Sequence, residues 1–305
     1  MSSAEKESSR GPLASPRSTS ALRASVRALL PSMTPAMQRI AETVAADPAG
    51  CAELTVTRLA ERTGTSEATV SRTARTLGYR GYPELRRALA ALAASQENMG
   101  PEALTVVEVD DPLSTVIAKL AREERQVLAD TAALLDVAQL GGAVEALAAA
   151  RRIDVYGIAA SGLVAIDLAQ KLLRIGLIAH AHTELHLAVT SAVQLRAGDV
   201  AIAISHSGST IDVLEPLRRA RENGATTVAV TSRPAGTIAR TADHVLTTAA
   251  GQESALRPAA MGSRTSQLLV IDCLFIGVVQ RTYDTARQGL IASHEALAAR
   301  HPQQK

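Results

Sequence analysis

From residue 153 onward the chain alternates between two kinds of segment, and that alternation restricts its fold more than any other feature. Apolar runs at 153–158, 177–181, 200–204, 226–231 and 244–248 are five or six residues long. Helical patterns of about ten to fifteen residues separate most of them, clearest at 162–174 and 210–223. Parallel strands need a crossover of roughly a dozen residues or more. Near-continuous apolar strands joined by such helices therefore predict a parallel sheet buried on both faces. In open sheets of this kind, ligands settle beyond the carboxyl ends of the strands, where helix N-termini present free N–H groups.

Two corners of that type stand out. Gly157-Ile-Ala-Ala-Ser161-Gly162 follows the first strand, and Ser205-His-Ser207-Gly-Ser-Thr210 follows the third. Small residues let the backbone approach an anion. Hydroxyls and N–H groups can then surround a phosphate monoester without fixed positive charge. A strand-to-helix turn also favours Ser and Gly as caps, so the pairing of two corners carries the reading. Gly157 and Gly162 are not spaced as G-x-G-x-x-G, and no Walker sequence with its Lys is present, so neither a nucleotide nor any other cofactor is expected.

The N-terminal third reads differently. Thr34-Pro35 marks a helix start; Met37, Ile40, Val44 and Ala45 follow on one helical face, and Asp47-Pro48-Ala49-Gly50 is expected to end that helix. A second helix is predicted at 56–62, broken at Thr63-Gly64, and a third at 67–77, capped by Ser66 and ended by Gly78. A fourth is expected to run to about residue 94. Short helix, glycine turn and second helix make a helix-turn-helix, whose second helix enters the major groove of DNA. Ser66, Glu67, Thr69, Ser71, Arg72 and Arg75 are its exposed set, with Arg72 and Arg75 for base edges or phosphates and Ser66 and Thr69 for either. The net charge is only +2, yet Arg58, Arg62, Arg72, Arg75, Arg80, Arg86 and Arg87 face just Glu61, Glu67 and Glu84. That local excess suits a phosphate-facing surface, although a solvated helical face in an Arg-rich chain would look the same.

With 305 residues, 47% of them hydrophobic, the chain can build two cores; with 2% aromatics and no Trp it must build them from Ala, Leu, Val and Ile. No apolar run reaches the roughly 18 residues that span a bilayer, and the start of the chain lacks a signal-peptide hydrophobic region. Cys51 and Cys273 are read as ordinary thiols. A soluble cytoplasmic protein is expected. His180, His182 and His186 tempt as metal ligands, but no Cys or carboxylate set completes a shell, and no metal is expected.

Residues 34–87 resemble the N-terminal domain of the RpiR family of bacterial regulators, through Thr34-Pro-Ala-Met-Gln-Arg-Ile-Ala41, Leu59-Ala60-Glu61, Gly64-Thr-Ser-Glu-Ala-Thr-Val70, Arg72 and Leu77-Gly-Tyr-Arg-Gly-Tyr82. Thr73 departs from the family, which usually places an aromatic there. Residues 111–279 are similar to the SIS, or sugar isomerase, domain, through Gly157-x-x-x-Ser161, the run from Gly198 to Gly208, Gly224-Ala225, Val230-Thr231-Ser232 and Ser263-Arg264 leading to Ile271-Asp272. Ala159 stands where a Gly is common. The resemblance implies an all-α helix-turn-helix domain followed by an α/β SIS domain, a flavodoxin-like parallel five-stranded sheet with helices on both faces. It implies a transcriptional regulator whose affinity for double-stranded operator DNA is controlled by a phosphosugar effector ringed by Ser161, Ser205, Ser207 and Thr210. Glu253 would contact a sugar hydroxyl; the alternative is a phosphosugar isomerase or etherase using Glu253 as general base. Paired half-sites call for a homodimer or homotetramer, with 113–135 and 266–279 as candidate interface elements. The expected divisions are a disordered tail at 1–28, the DNA-binding domain at 29–97, a linker at 98–112, the SIS domain at 113–285 and a C-terminal tail at 286–305.

Overall fold

The computed structural model describes residues 19–96, 107–251 and 262–298. The chain divides into two compact units, Met1–Ala103 and Leu104–Lys305.

The first unit is helical: α1 (Thr19–Leu29), α2 (Pro35–Ala46), α3 (Pro48–Glu53), α4 (Val56–Thr63), α5 (Glu67–Thr76) and α6 (Tyr82–Gln96), with one 3₁₀ turn at Leu30–Ser32. Its core is aliphatic, built on Leu22, Val26, Ile40, Val44, Leu59, Val70, Leu85 and Leu89. Helix α1 begins within the segment expected to be a tail and ends one residue past it. Leu22, Val26 and Leu29 sit on one face and are buried, and the Arg23 guanidinium donates to the Ala45 carbonyl at 3.0 Å. Helix α3 begins where a stop was expected. Asp47 closes α2 and also caps α3, accepting the Gly50 N–H at 2.8 Å with Pro48 at the first helical position.

The second unit opens with α7 (Leu113–Leu134) and α8 (Val137–Ala148). It then alternates β1 (Ile153–Gly157), α9 (Ala160–Arg174), β2 (Ala179–His182), α10 (Leu185–Ala192), β3 (Val200–Ile204), α11 (Ile211–Glu222), β4 (Thr226–Thr231), α12 (Thr237–Thr241) and β5 (His244–Thr247), and closes with α13 (Gly262–Arg281) and α14 (Tyr283–Ala298). The five strands are all parallel in the order β2-β1-β3-β4-β5. Side chains alternate across the sheet. Ile153, Val155, Val200, Ile202, Ile204, Val228 and Val230 face α8, α9 and α13. Ala201, Ala203 and Ala229, with Tyr156, face α10, α11 and α12. Branched residues fill one layer, while alanines let the other layer of helices approach closely. At the β5 edge, Gln139 of α8 accepts the Val245 N–H at 2.9 Å and covers a backbone group that would otherwise be open.

Helix α14 crosses the expected boundary at 285, so the segment assigned to a C-terminal tail is helical through Ala298. Ala286 is buried, and Ser293 donates to the Arg174 carbonyl at 3.2 Å, so this helix is docked on the end of α9. Among the described residues no single helix is long and apolar enough to cross a membrane. Cys51 and Cys273 are both free thiols, and no cluster of three or more His, Cys, Asp or Glu is arranged to hold a metal ion among the described residues.

Candidate functional site

In the first unit, the turn between α4 and α5 is held from three sides. Gly64 takes the left-handed conformation at φ +60°, which ends α4. Ser66 caps α5, its hydroxyl accepting the Thr69 N–H at 3.2 Å. Arg39 of α2 donates to the Thr63 carbonyl at 3.1 Å and the Gly64 carbonyl at 3.3 Å, and Thr57 donates to Glu67 at 2.6 Å, bracing the start of α4 against the start of α5.

The packing decides which face of α5 points outward. Val70, Thr73, Ala74 and Leu77 are buried. Thr73, at the position where an aromatic was expected, satisfies its buried hydroxyl on the Thr69 carbonyl at 2.9 Å. At 100° per residue, Ala68, Ser71, Arg72 and Arg75 occupy the opposite face. Arg72 and Arg75 are exposed and Ser71 is half-buried. No hydrogen bond or ion pair engages the Arg72 guanidinium among the described residues, while Arg75 reaches the Arg80 carbonyl only at 3.5 Å. Ser66, Glu67 and Thr69 lie at the N-terminal rim, where the two hydroxyls stand 2.9 Å apart and Glu67 is held by Thr57. The outward face thus also contains Ala68, an exposed methyl that periodicity alone would have found. Behind it, Tyr82 donates to the Leu54 carbonyl at 2.8 Å, which fixes the base of the bundle.

In the second unit, the site is set by topology. The chain leaves β1 to one side for β2 and returns on the other for β3, so the gap between β1 and β3 is where the winding reverses. Helices α9 and α11 start there, and neither carries a side-chain cap at its N-cap residue, Ala159 or Thr210. Their first N–H groups are therefore available to an anion. Gly157 and Gly162 permit the close turn. A Cβ on Gly157 would lie 2.5 Å from the Ser161 carbonyl oxygen, and one on Gly162 2.9 Å from that of Gly157. Ala159 holds φ +52°, the one positive value at a non-glycine among the described residues.

Ser205, Ser207 and Thr210 form a ring of hydroxyls, at 3.0 Å between Ser205 and Thr210, 3.3 Å between Ser207 and Thr210 and 3.5 Å between Ser205 and Ser207. The Gly208 N–H donates to Ser205 at 3.2 Å and holds that ring in place. Ser161 faces it across a cavity of about 240 Å³, lined also by His206 and Ser263. Typical small-molecule pockets span about 300–1,000 Å³, so the cradle suits a small polar ligand. The four predicted hydroxyls are brought together. Glu253 lies outside the described residues. Sequence reasoning missed His206, Ser263 and Gln267, whose amide meets Ser161.

The histidines on β2 have another setting. His180 and His182 pair in register with Asp154 and Tyr156 of β1. Asp154 is 0% exposed. It accepts from Arg152 at 2.9 and 3.1 Å and from Ser191 at 2.6 Å, and His182 Nε2 stands 3.4 Å away without the alignment of a hydrogen bond. Burial alone would raise this carboxyl. Contacts with His182, Arg152 and Ser191 and the Arg152 charge outweigh it and bring the pKa from 3.8 to about 2.

Comparison with known proteins agrees with both halves. A model of the rpiR-family helix-turn-helix domain matches residues 21–96, and a SIS-domain model matches residues 146–277. An uncharacterized HTH-type transcriptional regulator from Caldanaerobacter subterraneus subsp. tengcongensis is 39% identical over 275 residues, 90% of this chain and 96% of its own length. The Vibrio vulnificus NanR protein, solved in complex with ManNAc-6P, is 27% identical with a TM-score of 0.58 and aligns over 92% of this chain and all of its own. The sugar isomerase domain of an RpiR transcription factor from Sphaerobacter thermophilus shares the fold at 24% identity and a TM-score of 0.55, over 59% of this chain and 99% of its own. With a helical unit that presents Arg72 on an outward helix and a parallel sheet that gathers four hydroxyls at its winding reversal, the chain belongs to the RpiR family of HTH-type transcriptional regulators with a SIS domain.

Proposed function

We propose that this regulator binds operator DNA through the outward face of α5 and that a phosphorylated sugar in the β1–β3 cradle sets its operator affinity. The observation that carries the reading is the ring of Ser205, Ser207 and Thr210 facing Ser161 between two uncapped helix N-termini. That arrangement offers many donors to an anion, which is what a phosphate monoester needs. The phosphosugar in the Vibrio relative supports the same ligand class. Arg72 and Arg75 take base edges or phosphates, Ser71 and Ala68 lie against the groove, and Ser66, Glu67 and Thr69 hold the N-terminal rim of the helix.

We place the protein in the cytoplasm as a homodimer or homotetramer, since two readers match paired half-sites. An apolar groove between α8 and α13, lined by Leu140, Val144, Ile276 and Val137, the last 81% exposed, supports pairing through the second unit. The effector acts by binding one arrangement of the readers more tightly than another, and by no more than that difference in affinity. In this reading the cradle senses and does not turn over its ligand.

Operator selection from genomic DNA, repeated with a panel of sugar phosphates, tests the whole reading. One enriched palindromic site whose occupancy a single compound changes is the expected result; no sequence-selective binding at low or moderate salt refutes it. Ser207→Ala keeps operator binding and loses the effector response. Hexose phosphate turnover that vanishes in Glu253→Gln would instead make the chain an isomerase.

A further inference from the structure

Three of the four cradle hydroxyls are partnered with one another, whereas Ser161 is partnered with an amide. Gln267 lies on α13, 106 residues from Ser161, and is 1% exposed. Its Oε1 is 3.3 Å and its Nε2 3.2 Å from the Ser161 hydroxyl. A serine hydroxyl has one hydrogen to give and can accept as well, and an amide can play either part. The two parts have opposite consequences in the cradle. When Oε1 accepts, the Ser161 hydrogen is consumed inside the protein. When Nε2 donates, Ser161 is held by its lone pair and its hydrogen is free for an anion. Among the described residues lining the cavity there is no Lys or Arg, so each hydrogen aimed at a phosphate oxygen counts.

We propose that Gln267 is a positioning residue for the effector. Its amide sets the direction of the Ser161 hydrogen and so links phosphate occupancy to α13. The inference rests on the cradle being the phosphate site. Anion binding selects the state in which Nε2 donates, which fixes Gln267 and with it the first turns of α13. That helix packs along α7 and α8, so the signal enters the frame of the second unit at the buried Gln267 amide. A carboxylate in this place could only accept, and would add a charge of the wrong sign.

The test uses the full chain, with inorganic phosphate and ManNAc-6P as probes, in wild type, Gln267→Glu, Gln267→Met and Ser207→Ala. Probe affinity at pH 8 is expected to fall on the order of 10-fold in Gln267→Met and 100-fold in Gln267→Glu. Binding to the selected operator without probe stays within about 2-fold, which shows that the variants are folded, and the probe no longer changes it. Lowering the pH toward 5 brings the Gln267→Glu deficit below that of Gln267→Met, because a protonated carboxyl again offers a donor and a thioether cannot; relief of charge or packing alone would leave Gln267→Glu no better than Gln267→Met. If wild type binds neither probe, the cradle reading and this inference fall together. If Ser207→Ala loses binding while both Gln267 variants keep wild-type affinity, the cradle stands and the role of Gln267 is overturned.

Discussion

Ala159 holds φ 52° and ψ −121°, a region an L-residue enters at a cost of about 1–2 kcal/mol, and it does so at the entrance to the cradle. Glycine has no such penalty. Ala159→Gly is expected to stabilise the chain by ~1 kcal/mol, a rise of roughly 2–4 °C in the midpoint of thermal unfolding; a lower midpoint would show that the methyl contributes more by packing than the backbone loses. Asp154 makes the opposite kind of prediction. Its carboxyl titrates at 3.8 ordinarily and at about 2 when folded, so the folded state favours its ionised form. The corresponding stability, about 2 kcal/mol, is fully present above pH 4 and is lost as the pH falls through 2. Urea unfolding of wild type should therefore weaken across that window by more than unfolding of Asp154→Asn does. Parallel profiles would mean that the Arg152 and Ser191 bonds do not favour the ionised carboxylate.

Between elements, contact distances govern what can change. β1 and α9 meet through two glycines, and a Cβ at residue 157 would come within 2.5 Å of a carbonyl oxygen with no flexible side chain to yield. Gly157→Ala is expected to cost about 2 kcal/mol or more and to weaken phosphosugar binding, as measured by unfolding and by calorimetry. A variant that binds normally would show that the turn can relax without moving Ser161. The same comparison shows what a reader of the sequence alone can reach. All five strands were legible, because buried parallel strands are continuous apolar runs; β2 was placed two residues early because Leu177 and Ile178 extend that run into the loop before it. The cap, glycine turn and outward face of α5 were legible because they are local. Helix α3 was not, since Asp47-Pro48 is as good a start as it is a stop. Gln267 was out of reach for a different reason. Nothing in its own helix marks it, and only the folded sheet brings it to Ser161.

Across the whole molecule, the two units rely on different physics. The first carries a local surplus of arginine in a chain whose net charge is only +2, and the tails expected at both ends of the chain are partly helix because Leu22 and Val26 at one end and Ala286 at the other are core residues hidden in polar-looking sequence. DNA affinity through the first unit should fall steeply with salt. Arg72→Ala, if it removes a phosphate contact, lowers the slope of log K against log salt by about 1; if the slope is unchanged while specificity relaxes, Arg72 reads a base instead. In the proposed reading the second unit would hold its ligand with hydroxyls and N–H groups, and the described residues lining its cavity include no Lys or Arg to exchange counterions. A cell under osmotic shock fills with potassium salts. Salt would then act directly on one end of this chain, its hold on the chromosome, and reach the metabolite site only through the coupling between the two. The regulator would in that case answer to water stress and to nutrition through separate sites, with the two signals joined at the promoter by that coupling.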